Sequence, residues 1–483
     1  MTMNYKLFIS VTLAMSISPI LPAQDKLPRE KQAVIKSVEA HQDRLIEISD
    51  QIWTFAETAL EEIRSSRLLS DEAETQGFKV QRGVADMPSA FIATYGSGKP
   101  VIGILGEFDA LPGLSQKVSV EKAPFEEGKP GHGCGHNLFG TASLGAAIAI
   151  KELMQEGKIK GTVRFYGTPA EETIGGKLYM ARAGLFDDLD ICLDWHPSSD
   201  IEADAQSSQA LIDFRVHFEG KAAHAAGDPW NGVSAVDALE LYTTGINYLR
   251  EHVKPTVRIH YLIEKAGDVV NVVPENAIIW TRVRDRDRDG MNLVYDRVRK
   301  IAEGAALMTG AGYSLELISG WHEVLVNRTG AAAMQKNLEF LGTISYTPEE
   351  IEFAKSIQKA TNKPEVGLDG EIHELKDTRE DPPGGSTDVG DVSWIVPEIR
   401  MNAPTAPKGT PWHSWAVVAC GGMSIGHKGM IYAAKALAMT MVDLYRDEEL
   451  RRKIREEFIK RKGDYIYSPI LPEGPPPVPA SML

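Results

Sequence analysis

The stretch "PGHGCGHNLFG", residues 130–140, sets His132, Cys134 and His136 on alternating positions among glycines. A dithiol redox site requires Cys-x-x-Cys and covalent haem attachment requires Cys-x-x-Cys-His; neither is present. A structural zinc finger would need two more ligands at short spacing, and none lies nearby. Candidate partners lie farther along: Glu171 and Glu172 in "TPAEET", His196 in "DWHP" and His413 in "TPWHSW". A thiolate, imidazoles and carboxylates gathered in one cleft suit Zn²⁺ or a similar divalent ion, and five or six such groups suffice for two ions. Two such ions would polarise a carbonyl and activate water. An isolated acidic pair is ordinarily a solvated surface feature. Beside a metal cleft, Glu171-Glu172 reads instead as one ligand and one general base, because neighbouring side chains in an extended loop diverge.

The elements that must position these groups are short apolar strands. "PVIGILGEFDALPG" is a buried strand that delivers Glu107 and Asp109 at its carboxyl end, where open α/β sheets place their ligands. "GTVRFYGTPAEETIGG" and "DICLDWHP" repeat the scheme, and the apolar helix "LFGTASLGAAIAIKELMQEG" follows the Cys/His stretch directly. A helical region from about Leu27 to Gln76 precedes them. From Ser207 the character changes to alternating strands and amphipathic helices in the order β-α-β-β-α-β, which predicts a ferredoxin-like α+β unit over 207–320. That unit is an insertion between the first part (24–206) and second part (321–467) of an α/β domain, with a Pro-rich tail at 468–483. The acidic, Gly/Pro-bearing loop 361–388 reads equally as a functional loop or a solvated linker.

Composition narrows the class. The formal net charge of −15, with no basic block to offset it, disfavours nucleic acid and anionic lipid as partners. Residues 1–23, with Lys6 ahead of an apolar run and Leu21-Pro22-Ala23 at its end, read as a cleavable signal peptide, so the mature protein is expected to be periplasmic or secreted and not membrane-inserted. Only Cys134, Cys192 and Cys420 are present, too few for a disulfide framework, so the last two are expected to be small buried hydrophobes.

In their order, "GEFDALPG", "GHGCGHN", "GTPAEE", "DWHP", "GKAAHAAGDPWNGVSAVDA", "NVVPENA" and "PWHSW" resemble the metallopeptidase family 20 amidohydrolases over nearly the whole mature chain. The likeness is to the cysteine-containing branch (subfamily D) that holds the aminobenzoyl-glutamate and auxin-conjugate hydrolases. It implies a metallo-exopeptidase-like α/β/α catalytic domain with an inserted ferredoxin-like lid that also dimerises. Cys134, His136, Glu172, His196 and His413 fall on that branch's metal ligands, Glu171 on its general base, and Asp109 on the acid that orients a ligand histidine. The implied cofactor is a pair of divalent ions, Zn²⁺ or Mn²⁺, with Co²⁺ or Ni²⁺ also suited.

His224 matches a histidine that reaches the partner subunit's site, and Asn271 and Arg284 match lid residues that hold the substrate's amide and carboxylate. Arg282 competes with Arg284 for that role. Glu107 stands where the peptidase branch has a histidine ligand, and Asn137 replaces the usual aspartate. His132, His217, His260 and His322 are left to packing or the surface. The implied reaction is hydrolysis of an N-acyl or N-aroyl amino acid, with a dipeptide or carboxypeptidase substrate as the alternative, in a homodimer or with a paralogous chain. A metal- or peptide-binding protein without catalysis would have no use for Glu171.

Overall fold

The computed structural model describes residues 28–376 and 384–482. The signal-peptide segment 1–23 and part of the loop 361–388 lie outside the described residues.

The larger sheet has the strand order β1-β2-β4-β3-β5-β12-β6, with β7 paired to β12. Its strands are β1 (Lys79–Arg82), β2 (Phe91–Ser97), β3 (Val101–Gly106), β4 (Gly161–Gly167), β5 (Ile191–Leu193), β6 (His196–Ser198), β7 (Glu202–Asp204) and, after the insertion, β12 (Glu398–Pro404). The central β4, β3, β5 and β12 run parallel, so their carboxyl ends share one edge of the sheet. β3 and β5 are buried on both faces, as continuous apolar runs require.

The helix His136–Gln155 covers one face and is apolar nearly all round, because further helices, including Ser424–Arg446, pack on its outer side. Gly140 lets it lie close to the β3 exit: a Cβ there would come within 2.7 Å of the Glu107 carbonyl oxygen. The helices Arg29–Ala40, Gln42–Phe55 and Ile63–Thr75 account for the predicted amino-terminal helical region.

The second sheet is fully antiparallel and ordered β11-β8-β10-β9, from β8 (Ala210–Glu219), β9 (Arg258–Ala266), β10 (Asn276–Asp285) and β11 (Gly312–Trp321). Numbered within the insertion this order is 4-1-3-2, that of a ferredoxin-like sandwich. The helices Ala235–Leu249 and Arg288–Thr309 share with the sheet a core distinct from that of the larger sheet. The β-α-β-β-α-β pattern therefore produced the expected topology.

The Pro-rich tail packs along the body instead of standing free. Gly320 N–H donates to the Ile470 carbonyl at 2.7 Å, and Arg182 donates to the carbonyls of Pro472 and Gly474. Prolines donate no hydrogen bond, but their carbonyls accept, and Leu471 and Val478 rest on an apolar cluster. Among the described residues no helix is long and apolar enough to cross a membrane.

Candidate metal centre

The shared carboxyl edge of β3, β4, β5 and β12 gathers the candidate ligands. Glu107 and Asp109 follow β3, Glu171 and Glu172 follow β4, His196 follows β5, and His136 opens its helix. His413 arrives on the loop after β12, in left-handed backbone at φ 56°, with its N–H donated to the Gly133 carbonyl at 3.0 Å. Three ligand-competent groups result: Cys134, His136 and His196; Cys134, Glu172 and His413; and Glu107, His136 and Glu171. Within each, the potential ligand atoms all lie within 4.8 Å of one another, and Cys134 belongs to the first two.

Hydrogen bonds set the histidine tautomers. His136 Nδ1 lies 2.9 Å from Asp109 Oδ1, and His196 Nδ1 lies 2.7 Å from the Pro197 carbonyl. Both acceptors require the proton on Nδ1, which leaves each Nε2 lone pair to the cleft. His196 Nε2 lies 3.4 Å from Cys134 Sγ, and His413 Nε2 lies 3.5 Å from Glu172 Oε2.

The two glutamates diverge, as read from the sequence, but the backbone that separates them is a turn and not an extended loop. Ala170 sits at φ 60°, and its N–H donates to Glu62 Oε1 at 2.9 Å, while Glu172 N–H donates to Asp109 Oδ2 at 2.9 Å. Two buried carboxylates thus hold a turn that a non-glycine residue adopts only under constraint.

The cluster is short of positive charge. Burial, followed by Glu107, Glu172 and Asp388, pushes the Glu171 carboxyl well above its ordinary range. Burial likewise lifts Glu172 to about 7 and Glu62 to about 8, and raises the Cys134 thiol. Burial opposes charge on His136, but Cys134, Glu107 and Asp109 prevail and raise it. Glu107 Oε2, His136 Nε2 and Glu172 Oε1 are buried with no hydrogen-bond partner, although Glu107 Oε2 and His136 Nε2 face each other at 3.2 Å. Buried polar atoms are otherwise almost always paired. Unpaired oxygen and nitrogen donors beside the Cys134 thiol, amid excess negative charge, fit divalent cations held by these residues.

A pH dependence follows for the metal-free protein. With carboxyls at about 7 and about 8, the folded chain keeps protons that the unfolded chain has already released above the ordinary carboxyl range. Its stability is therefore lost as pH rises through that interval. With chelator present, the denaturation midpoint is expected to be lower at pH 8.5 than at pH 6, and Zn²⁺ is expected to restore it; a midpoint that rises with pH would contradict this charge distribution.

Other candidate residues sort as follows. His132 Nε2 is 3.0 Å from the Ile52 carbonyl and burial lowers its pKa to about 4, so it is a neutral packing residue. Asn137 donates to Ser49 Oγ and to the Gly421 carbonyl. Arg282 is committed to Asp213, whereas Arg284 donates to Ser386 Oγ at 3.0 Å. Burial and then Arg282 lower the Arg284 guanidinium to about 10, against the pull of Asp213 and Glu171, and its Nε is buried without a partner.

His224 and Asn271 lie on adjoining exposed loops of the small sheet and join none of the ligand groups. The His224 Nδ1 accepts from the N–H groups of Ala226 and Gly227, so its Nε2 carries the proton and is a donor. His217 pairs with Glu316, and the buried His322 with Asp391 and Tyr465. Sequence reasoning missed Glu62, Lys177 and Asp388. The signal for Asp388 was the Gly/Ser/Thr/Asp run inside the acidic loop; an isolated Lys177 at a helix start gave none.

The family model for peptidase family M20/M25/M40 matches residues 103–398. The chain is 40% identical over 469 residues to one of the subunits of p-aminobenzoyl-glutamate hydrolase from Escherichia coli (strain K12), covering 92% of this chain and 98% of that one. It is 29% identical over 444 residues to the Xaa-Arg dipeptidase of Mus musculus, covering 89% and 92%. Among solved structures, a Bacillus subtilis dinuclear metal-binding peptidase of the M20 family superimposes with TM-score 0.57 at 17% identity, covering 84% of this chain and 99% of that one. With candidate ligands at its strand ends and an inserted small sheet, the chain belongs to peptidase family M20/M25/M40 and is a hydrolase of amide bonds.

Proposed function

We propose that this protein hydrolyses the amide joining an acyl or aroyl group to an amino acid with a free carboxylate, aminobenzoyl-glutamate being the model substrate. The observation that carries the reading is the pair of ligand groups meeting at Cys134, with unpartnered donor atoms of Glu107, His136 and Glu172 beside them. Cys134, His136 and His196 would hold one divalent ion, and Glu172 and His413, sharing Cys134, a second. Ions held there would polarise the amide carbonyl and acidify water, whose pKa can fall to about 7 beside such a metal.

The chain's own residues supply the rest. Asp109 keeps the proton on His136 Nδ1, so that Nε2 remains a ligand. Glu171, displaced from Glu172 by the turn at Ala170, takes a proton from the attacking water and returns it to the leaving nitrogen. Its raised affinity for protons suits both transfers. Arg284, only partly satisfied by Ser386, grips the substrate carboxylate through paired N–H donors.

Arg284→Ala is therefore expected to lower kcat/KM by about 10- to 100-fold on aminobenzoyl-glutamate, as loss of hydrogen bonds to a charged group implies. Hydrolysis of an analogue with its carboxylates amidated is expected to change little; equal losses on both would remove Arg284 from carboxylate recognition. A dipeptidase is the second reading, favoured by the Xaa-Arg dipeptidase likeness. Product analysis on aminobenzoyl-glutamate, simple N-acetyl amino acids and dipeptides decides between them, and failure to cleave any of them sinks both.

His224 is proposed to donate its Nε2 proton to the developing oxyanion of a neighbouring chain, since its ring is exposed and joins no ligand group of its own chain. The neighbour is a second copy or a paralogue, the latter favoured because the Escherichia coli hydrolase has two kinds of subunit and this chain resembles both. Where the neighbour is a second copy, mixing a His224→Ala chain with a Glu171→Gln chain recovers part of the activity; no recovery excludes a cross-subunit role within a homodimer and leaves the paralogue as the neighbour.

A further inference from the structure

We propose that Lys177, clamped by Asp388, is a positioning residue for the metal cleft: its ammonium holds one oxygen of Glu107 so that the other faces His136 and the ligand groups. The inference rests on the metal-cleft reading above and concerns residues outside the motifs that carried it.

Glu107 is 1% exposed, and its two oxygens have different company. Oε1 receives Lys177 Nζ at 2.6 Å, while Oε2 lies 3.2 Å from His136 Nε2 and accepts no hydrogen bond. The terminal torsion of a glutamate is broad, so an unrestrained carboxylate would sample many orientations. One charge-assisted bond on Oε1 removes that freedom and leaves Oε2 aimed at the cleft.

Lys177 is itself fixed from both ends. Its Nζ lies 2.6 Å from Asp388 Oδ1 and its backbone N–H donates to Asp388 Oδ2 at 3.0 Å, so one carboxylate grips the head and the root of the same side chain. The root is placed by close backbone approach: a Cβ on Gly176 would stand 2.0 Å from the Pro169 carbonyl oxygen, next to the turn that bears Glu171. Lys177 is fully buried.

A buried lysine ammonium is costly to desolvate, and replacing a buried ion cluster with apolar groups often leaves stability unchanged or improves it. Stability alone is thus a weak reason for this triad. Its placement supplies a better one, since the Lys177 charge acts on Glu171 and Asp109 as well as on Glu107 and Asp388. The same strip of chain carries Ser386, the partner of Arg284, so the Lys177 clamp and the carboxylate grip share a support.

The test is Zn²⁺ binding to the full chain, by competition with a chromogenic chelator, alongside kcat and KM. Lys177→Met is expected to weaken one of two Zn²⁺ sites by about 10- to 100-fold, the usual cost of losing a supporting contact, and the other by less than about threefold. The expected kinetic pattern is a fall in kcat with little change in KM. Asp388→Asn, which keeps the shape but turns one of the two acceptors into a donor, is expected to move the same site in the same direction by a smaller factor, and carries the test if Lys177→Met does not fold. Glu107→Gln is expected to reproduce the Lys177→Met pattern, and the double variant to lose no more than either alone.

Lower thermal stability with both Zn²⁺ affinities and kcat unchanged would reduce the triad to a structural ion pair and overturn the proposal. Additive losses in the double variant would also overturn it. Two-site binding in the wild type with no effect of any variant rejects this inference alone, whereas a wild type that binds no Zn²⁺ rejects the proposed function and this inference together.

Discussion

Glu171→Gln is expected to lower kcat by about 10²- to 10⁴-fold, the range lost with a general acid–base group, while Zn²⁺ content stays at the wild-type level. The expectation follows from where the turn at Ala170 sends each glutamate. Glu172 is grouped with Cys134 and His413, and Glu171 with Glu107 and His136. Glu172→Gln is accordingly expected to reduce metal content first and activity as a consequence. The comparison is to be made at equal metal occupancy, measured on the same samples. Loss of metal in Glu171→Gln, or full occupancy in Glu172→Gln, would reverse the two roles.

Cys134→Ser is expected to be the most damaging single change at the ligands, because Cys134 belongs to two ligand groups whose other members do not overlap. Both ions should weaken, each by more than the about 10- to 100-fold attached to a supporting contact. Burial raises the Cys134 thiol, so thiolate forms there only if a cation compensates it. His413→Ala makes the useful contrast. His413 is the exposed member of one group only, its side chain 56% accessible, and its loss should spare the ion held by Cys134, His136 and His196. Equal loss of both ions in the two variants would argue against a shared thiolate.

Much of the fold and most of the candidate ligands were legible in the chain because they depend on local signals. Continuous apolar runs before Glu107, Glu171 and His196 marked buried parallel strands, and parallel strands bring their carboxyl ends to one edge. The alternation in "QALIDFRVHFEG" and the β-α-β-β-α-β order were enough for the 4-1-3-2 sheet.

What local signals could not carry was the support around the candidate ligands. Lys177 meets Asp388 across 211 residues, and Glu62 meets Ala170 across 108. A single lysine at a helix start ordinarily lies at the surface, so its complete burial is a tertiary fact. The role of Glu107 was not legible for the same reason: it depends on Lys177 on one side and His136 on the other. The packed Pro-rich tail is a further case, since composition alone describes an extended chain and says nothing about the surface it lies on.

The central claim is that the residues gathered around Cys134 form a two-ion hydrolytic centre. Anomalous diffraction from crystals grown with Zn²⁺ tests it most directly. The account predicts two peaks on either side of Cys134 Sγ, one against His136 and His196 and the other against Glu172 and His413. A single peak that leaves either set unligated, or no peak in this cleft, would contradict it.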